Sequence, residues 1–371
     1  MKYKTLIFSF LFLFSALSQS GNTNSVESSK ENSKKSIQRS DIELQEKSIQ
    51  RIESKNVIQF NTVAMNLQTE INQLMQLNTR KTPTILEQNK LETQLAQLKI
   101  LNNKSFEYYL FYYQVGNYDF SRIKSLKKAE KLKPYAAGVL KDLSAYYFIK
   151  NQPNQLDKYL HKMNSMKLFS SASLEYAQDV LESLPSNTIL ITHGDNDTYP
   201  LLIKQEVNNI RKDVQIISLD HLQSEEFRKK LKKQGLMMPN SSVIDTQYLN
   251  SLLRLNSFKS ILVSGSVPRA YLNQAINSPK VTGLAFSVTS KKDYKGFNLK
   301  QYYKLKERIS AYLENDAQSS LLENYLPFLF EVRNQLITDN RKMELQEIEQ
   351  MIREIGRKTK QIKKVNTLLN K

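Results

Sequence analysis

Between Val57 and Met75 the apolar positions fall in steps of three and four: Phe60, Val63, Leu67, Ile71, Leu74 and Met75. That period places them on one face of an α-helix. Thr82 and Pro83 interrupt it, because proline lacks an N–H and disfavours helical backbone in the residue before it. Leu91, Leu95, Leu98 and Leu101 then resume it. Two amphipathic stretches around a short break predict an antiparallel helical hairpin.

The next stretch repeats itself. Tyr113 and Tyr147 are 34 residues apart, as are Asn117 and Asn151, Leu126 and Leu160, and Ala129 and Met163. This is the spacing of tetratricopeptide-like helix–turn–helix units. Only two units register, and Met163 stands where a small residue belongs, so flanking helices must cover their apolar ends. The aromatic run Tyr108, Tyr109, Phe111, Tyr112 and Tyr113 reads as packing between hairpins.

After Leu184 and Pro185 the pattern changes. β-Branched apolar runs occupy Asn187 to Thr192, Val214 to Leu219, Ser260 to Val263 and Leu284 to Val288. Helical patterns separate them at Leu201 to Ile210, Ser224 to Gln234, Thr246 to Leu255 and Arg269 to Ile276. Strands alternating with helices predict a mainly parallel sheet covered on both faces. Ligands of such sheets bind beyond the C-terminal strand ends. Leu321 to Ile337 and Met343 to Ile355 return to helical spacing, ahead of a basic tail.

The first residues change the picture of where the chain works. Lys2 and Lys4 precede an apolar run from Leu6 to Phe14, and small residues follow at Ser15, Ala16 and Ser18. This tripartite pattern predicts a signal peptide over residues 1–18 and an exported, periplasmic or extracellular product. No later segment is long and apolar enough to cross a bilayer, so the mature form is expected to lack a transmembrane segment. Residues 19–56 are rich in Ser, Asn, Lys and Glu and read as a disordered linker. The 371-residue chain has no cysteine, which excludes disulfides, thiolate nucleophiles and cysteine zinc sites. Its net charge of +18 comes from scattered lysines, including Lys127 and Lys128, Lys229 and Lys230, and Lys363 and Lys364. These read as solvated faces, and with no recognised binding motif beside them no nucleic-acid partner is expected.

Candidate chemistry concentrates at His193, Gly194, Asp195, Asn196, Asp197 and Thr198, directly after the first strand. Gly194 admits backbone conformations closed to other residues. Asp197 or Thr198 is expected to cap the next helix, with Pro200 in its first turn. Asp195 and Asp197 are also candidates to hold a hard cation, Mg²⁺ or Ca²⁺. Asp220 and Ser264 end the second and third strands and complete the candidate ligand set. A serine–histidine–aspartate set from His193, His221, Asp220, Ser264 and Ser266 is conceivable, but no Gly-x-Ser-x-Gly elbow accompanies it. Neither a dinucleotide-binding nor a P-loop glycine pattern is present.

The segment Leu181 to Asp220, with its Gly-Asp-Asn-Asp-Thr-aromatic-Pro-Leu turn at Gly194 to Leu201, resembles the soluble C-terminal region of bacterial protein O-mannosyltransferase-like membrane proteins. Leu284 to Leu299 is similar to a later strand and loop of the same region. The resemblance covers roughly Leu181 to Arg308. It implies the accessory α/β domain of that family, often near tetratricopeptide-like helices. It does not imply glycosyl transfer, which belongs to a multi-spanning membrane portion. Ile203 and Lys204 replace aromatic residues usual after the Pro-Leu pair.

The sequence therefore predicts helical hairpins over 57–184, an α/β domain over 185–308 and a helical C-terminal region over 309–371. The expected role is a non-catalytic binding or scaffold protein of the cell envelope, with an envelope protein as partner. The alternative is a glycan- or nucleotide-directed hydrolase or transferase with its site around Asp195 and Asp197.

Overall fold

The computed structural model describes residues 27–272, 279–288, 296–315 and 319–370. The expected signal peptide lies outside them. The chain divides into a short unit, Met1–Gln59, and a large one, Phe60–Lys371. Helix α1 runs over Glu27–Met75, so residues 27–56, expected as linker, are helical. The stretch contains neither glycine nor proline and is dense in Glu, Lys and Gln, all good helix formers. Lack of apolar surface, the basis of the linker reading, does not prevent a helix from forming.

In the large unit, the end of α1 buries Ala64, Leu67 and Ile71. Helix α2 (Ile85–Asn102) opens with Thr84 and Glu87 capping each other's backbone N–H groups and buries Leu91, Leu95 and Leu98. Four helices follow as two packed pairs: α3 (Phe106–Val115) on α4 (Ile123–Leu132), and α5 (Ala137–Ile149) on α6 (Pro153–Ser165). Leu126 and Leu160 are both fully buried. Asn117 and Asn151 both take positive φ, 47° and 55°, a conformation asparagine tolerates better than most residues. The aromatic run divides, with Phe111 and Tyr113 buried and Tyr108, Tyr109 and Tyr112 half-buried. Helix α7 (Ser171–Ser183) leads into the sheet.

The sheet has five strands in the order β2-β1-β3-β5-β4. β1 (Ile189–Thr192) lies inside the sheet and pairs in parallel with β2 (Gln215–Ser218) and β3 (Ile261–Ser264). Helix α8 (Asp195–Glu206) connects β1 to β2. Helices α9 (Glu225–Lys233) and α10 (Thr246–Leu255) lie between β2 and β3, and α11 (Arg269–Leu272) follows β3. The fourth expected strand is β5 (Ala285–Ser287), and it runs antiparallel to β3. An additional strand, β4 (Lys280–Thr282), forms a hairpin with it. Gly283, at φ +58°, makes that turn, and a Cβ there would lie 2.3 Å from the Ser183 carbonyl oxygen. The sheet is thus mixed: parallel from β2 to β3, antiparallel beyond. The three residues of β4 carry too few positions for an alternating pattern to mark it.

The chain closes with α12 (Phe297–Glu314), a 3₁₀ segment (Ser319–Tyr325), α13 (Leu326–Thr338), α14 (Lys342–Lys358) and α15 (Ile362–Leu369). Asp179 of α7, fully buried, anchors this region. It accepts the Tyr325 hydroxyl at 2.7 Å and pairs with Arg308 of α12 at 2.9 Å. Burial lifts its carboxyl to about 6. Among the described residues, no helix is long and apolar enough to cross a membrane.

Candidate functional site

β1, between β2 and β3, ends at Thr192, and His193 follows at once. The chain passes to β2 on one side, while β3 lies on the other. The crevice between the ends of β1 and β3 is therefore the point where strand order reverses, the usual ligand position in open α/β sheets. Gly194, at φ +76°, turns the chain sharply, and α8 begins at once with Asp195.

This corrects the expected helix start. Gly194 holds the cap position without a side-chain cap, Asp195 and Asp197 lie in the first turn, and Pro200 lies inside the helix. Asp197 instead reaches back to accept the His193 N–H at 3.0 Å. Its two oxygens also accept the Ser264 hydroxyl at 2.9 Å and the Ser266 hydroxyl at 2.5 Å. One carboxylate thus ties the ends of β1 and β3 together across the crevice. Burial pushes its pKa up to about 6, against the hydrogen bonds from Ser266, His193 and Ser264. Thr198, expected to face a ligand, instead turns into the core and shares a 2.8 Å hydrogen bond with Thr192. Ser264 is buried and its hydroxyl is held by Asp197.

Asp220, at the end of β2, accepts the Gly194 N–H at 2.7 Å. Its other oxygen pairs at 2.9 Å with Lys81, whose side chain is fully buried. Lys81 also donates to the Met75 carbonyl at 2.6 Å. Backbone pairing brings it there. Arg80 forms an antiparallel bridge with Asp245, and the Lys81 N–H donates to the Ile244 carbonyl. The break between the first two helices is thereby stitched to the α/β domain. Asp195 pairs with Lys141 of α5 at 2.8 Å, both half-buried. Burial raises the Asp195 carboxyl and Lys141 opposes the shift. Nearby Asp142, which accepts from Gln114 at 2.9 Å, is raised to about 7, mainly by burial.

His193, Gly194, Asp195, Asn196, Asp197, Asp220 and Ser266 line one cleft of about 750 Å³, together with Lys141, Phe169 and Tyr176. A second cavity of about 470 Å³, mainly apolar, lies beside Phe286, Phe328 and Phe330 and meets the cleft at Tyr176 and Asn324. The titratable groups concentrate in the cleft.

The arrangement does not build a nucleophilic triad. Both serine hydroxyls go to Asp197. His221 sits among the rings of Tyr118, Phe148, Tyr199 and Phe227, with centroids 5.6–6.4 Å away, and burial drops its pKa to about 4. His193 faces Tyr271, and burial followed by Lys81 lowers its pKa. The donor set also does not favour a cation between Asp195 and Asp197, since Lys141 holds the first and three hydrogen bonds hold the second. Among the described residues, no group of three or more histidine or acidic side chains could hold a metal ion.

Sequence reasoning missed Lys81 and Lys141. Lys81 lies in a helix break 139 positions from Asp220. Lys141 carried a faint signal, because it and Asp142 are the two charged residues between Ala136 and Ile149.

Fold and site together define an α/β domain with a crevice at its strand-order reversal, framed by helical hairpins. The model of the family described as TMEM260-associated domain 2 matches residues 173–369, more than half of the chain, and the chain belongs to that family. The match runs from α7 through α15 and contains the whole Gly194 turn. No curated protein and no solved structure matches the chain.

Proposed function

We propose that the chain is an exported, non-catalytic binding protein of the cell envelope that receives a partner or ligand at the cleft over Asp195 and Asn196. The observation that carries this reading is the convergence of the Gly194 turn, Asp220 and Ser266 on one cleft at the strand-order reversal. The hydroxyls beside Asp197 are held by its carboxylate, so the site is preorganised to present hydrogen-bonding groups rather than a nucleophile. On this reading the tetratricopeptide-like hairpins supply a further binding face. The resemblance to the accessory α/β region of protein O-mannosyltransferase-like proteins supports a role beside, not in, glycosyl transfer.

A site-specific photocrosslinker at Asn196 tests the reading. In envelope extract it should capture a discrete partner that the same crosslinker at Lys229, outside the cleft lining, does not. Equal capture at both positions overturns the cleft. Mass measurement of the mature protein tests export, and a full-length cytoplasmic chain overturns it.

A second reading rests on one observation, the cleft carboxyl of Asp197 lifted to about 6. Carboxyls tuned toward neutrality serve as general acids and bases. On that reading the protein is a glycan- or nucleotide-directed hydrolase or transferase. Turnover of aryl glycosides or nucleotides with an apparent pKa near 6, lost in Asp197→Asn, would favour it over the binding role.

A further inference from the structure

Folding gathers a group of lysines on the second helix of each hairpin. Helix α4 and the residue after it carry Lys124, Lys127, Lys128, Lys131 and Lys133, all exposed. Lys158 and Lys162 of α6 and Lys167 beyond it add to them. The two helices are joined across this face. The Tyr159 hydroxyl of α6 donates to Glu130 of α4 at 2.7 Å. The Lys162 ammonium stands 5.4 Å over the Tyr135 ring, just past α4, and 5.3 Å over Tyr159. Lysines that look scattered along the chain therefore form one patch.

The lysines outnumber the acids beside them: eight lysines stand with Glu130, which accepts from Tyr159, Asp157, 3.4 Å from His161, and Glu107 of α3, which pairs with Lys133 at 2.9 Å. Apolar side chains project within the same patch. Leu132 is 52% and Tyr135 60% exposed, at the end of α4.

We propose that this patch docks the protein on an anionic phospholipid surface. Lysine ammonium groups beside an anionic bilayer each add attraction of about 1 kcal/mol. An exposed tyrosine and leucine among them fit the headgroup boundary, where amphipathic rings and aliphatic chains reside. The composition argues against nucleic acid. Arginine, the bidentate reader of phosphate and bases, is not exposed in the patch: Arg122, at its edge, is held by Glu92 and the Tyr112 carbonyl. Lysines stand over the half-buried Tyr109 ring and the exposed Tyr135 ring, on which bases would otherwise stack. The proposal is independent of the cleft.

The test is sedimentation of the full mature chain with vesicles of phosphatidylglycerol and phosphatidylcholine against phosphatidylcholine alone. Binding is expected only to the anionic vesicles and should weaken as salt rises. Lys127→Gln with Lys131→Gln should lower affinity roughly twenty-five-fold, about five-fold for each charge. Tyr135→Ser should weaken the binding that remains at high salt. Lys229→Gln with Lys232→Gln, an equal charge change on α9, should leave affinity unchanged. Three results would overturn the proposal: equal binding to uncharged vesicles, equal loss in the α9 variant, or duplex DNA binding as tightly as the anionic vesicles with the same dependence on Lys127 and Lys131.

Discussion

Lys81 and Asp220 form an ion pair of 2.9 Å, with side-chain exposures of 0% and 6%, that joins the loop after the first helix to the segment just past the edge strand β2. Asp220 passes this restraint on by accepting the Gly194 N–H at 2.7 Å. The glycine that sets the cleft turn is therefore held by a lysine from outside the α/β domain.

Removing the lysine alone should be costly. Lys81→Met leaves the buried Asp220 charge uncompensated, a loss of about 3–5 kcal/mol. Adding Asp220→Asn removes that charge while retaining an oxygen for Gly194, so the double variant should recover part of the loss. Urea midpoints measure both. A double variant no more stable than Lys81→Met would show that the ion pair is not the cause.

The two cleft aspartates should separate cleanly. Asp197→Ala strands two donors, the half-buried His193 N–H and the buried Ser264 hydroxyl, and frees the exposed Ser266 hydroxyl, and should cost about 1–3 kcal/mol. Asp195→Ala removes one half-buried ion pair with Lys141 and should cost no more than about 1 kcal/mol. Thermal unfolding of both variants checks the order, and equal losses would contradict it.

Acid and base ends of the pH profile should respond to different residues. Asp142 is raised to about 7 by burial, so the folded state keeps a proton that the unfolded state releases near the ordinary carboxylate range. Stability from this group is present below that range and is lost as pH rises toward 7. Asp142→Asn should therefore gain on the wild type between pH 5 and pH 8. His221 has the opposite sense. Burial holds it neutral down to about 4, while the unfolded chain takes up a proton near 6.5. Stability then falls as pH drops from 6.5 to 4, and His221→Phe should gain on the wild type over that window. Urea midpoints of each variant between pH 4 and pH 8 decide both signs.

Divalent cations should leave the protein unmoved. Lys141 neutralises Asp195, and Asp197 has hydrogen bonds on both oxygens. Millimolar Mg²⁺ or Ca²⁺ is expected to leave the melting temperature of the wild type unchanged. A rise that Asp195→Ala abolishes would restore the cation reading.

Periodicity alone determined most of the architecture: the hairpins, the change at Pro185, three parallel strands and the terminal helices. Each follows from a local repeat of apolar residues, which burial enforces whatever the chain contacts later. The Gly194 turn was legible for the same reason, as a glycine between a β-branched run and a helical one. Tertiary structure alone decided what the turn's side chains do. Thr198 and Ser264 turn inward because Thr192 and Asp197 lie beside them across the sheet, and Asp197 bridges two strands instead of capping a helix end. Strand β4 and the antiparallel sense of β5 were hidden, because β4 has only three residues and strand direction follows from pairing rather than from local spacing. Lys81, Lys141 and the patch around Tyr135 were hidden because pairing between distant segments leaves no mark on local spacing. The charged groups were thus the least legible, because their partners lie far along the chain and are chosen only when the helices pack.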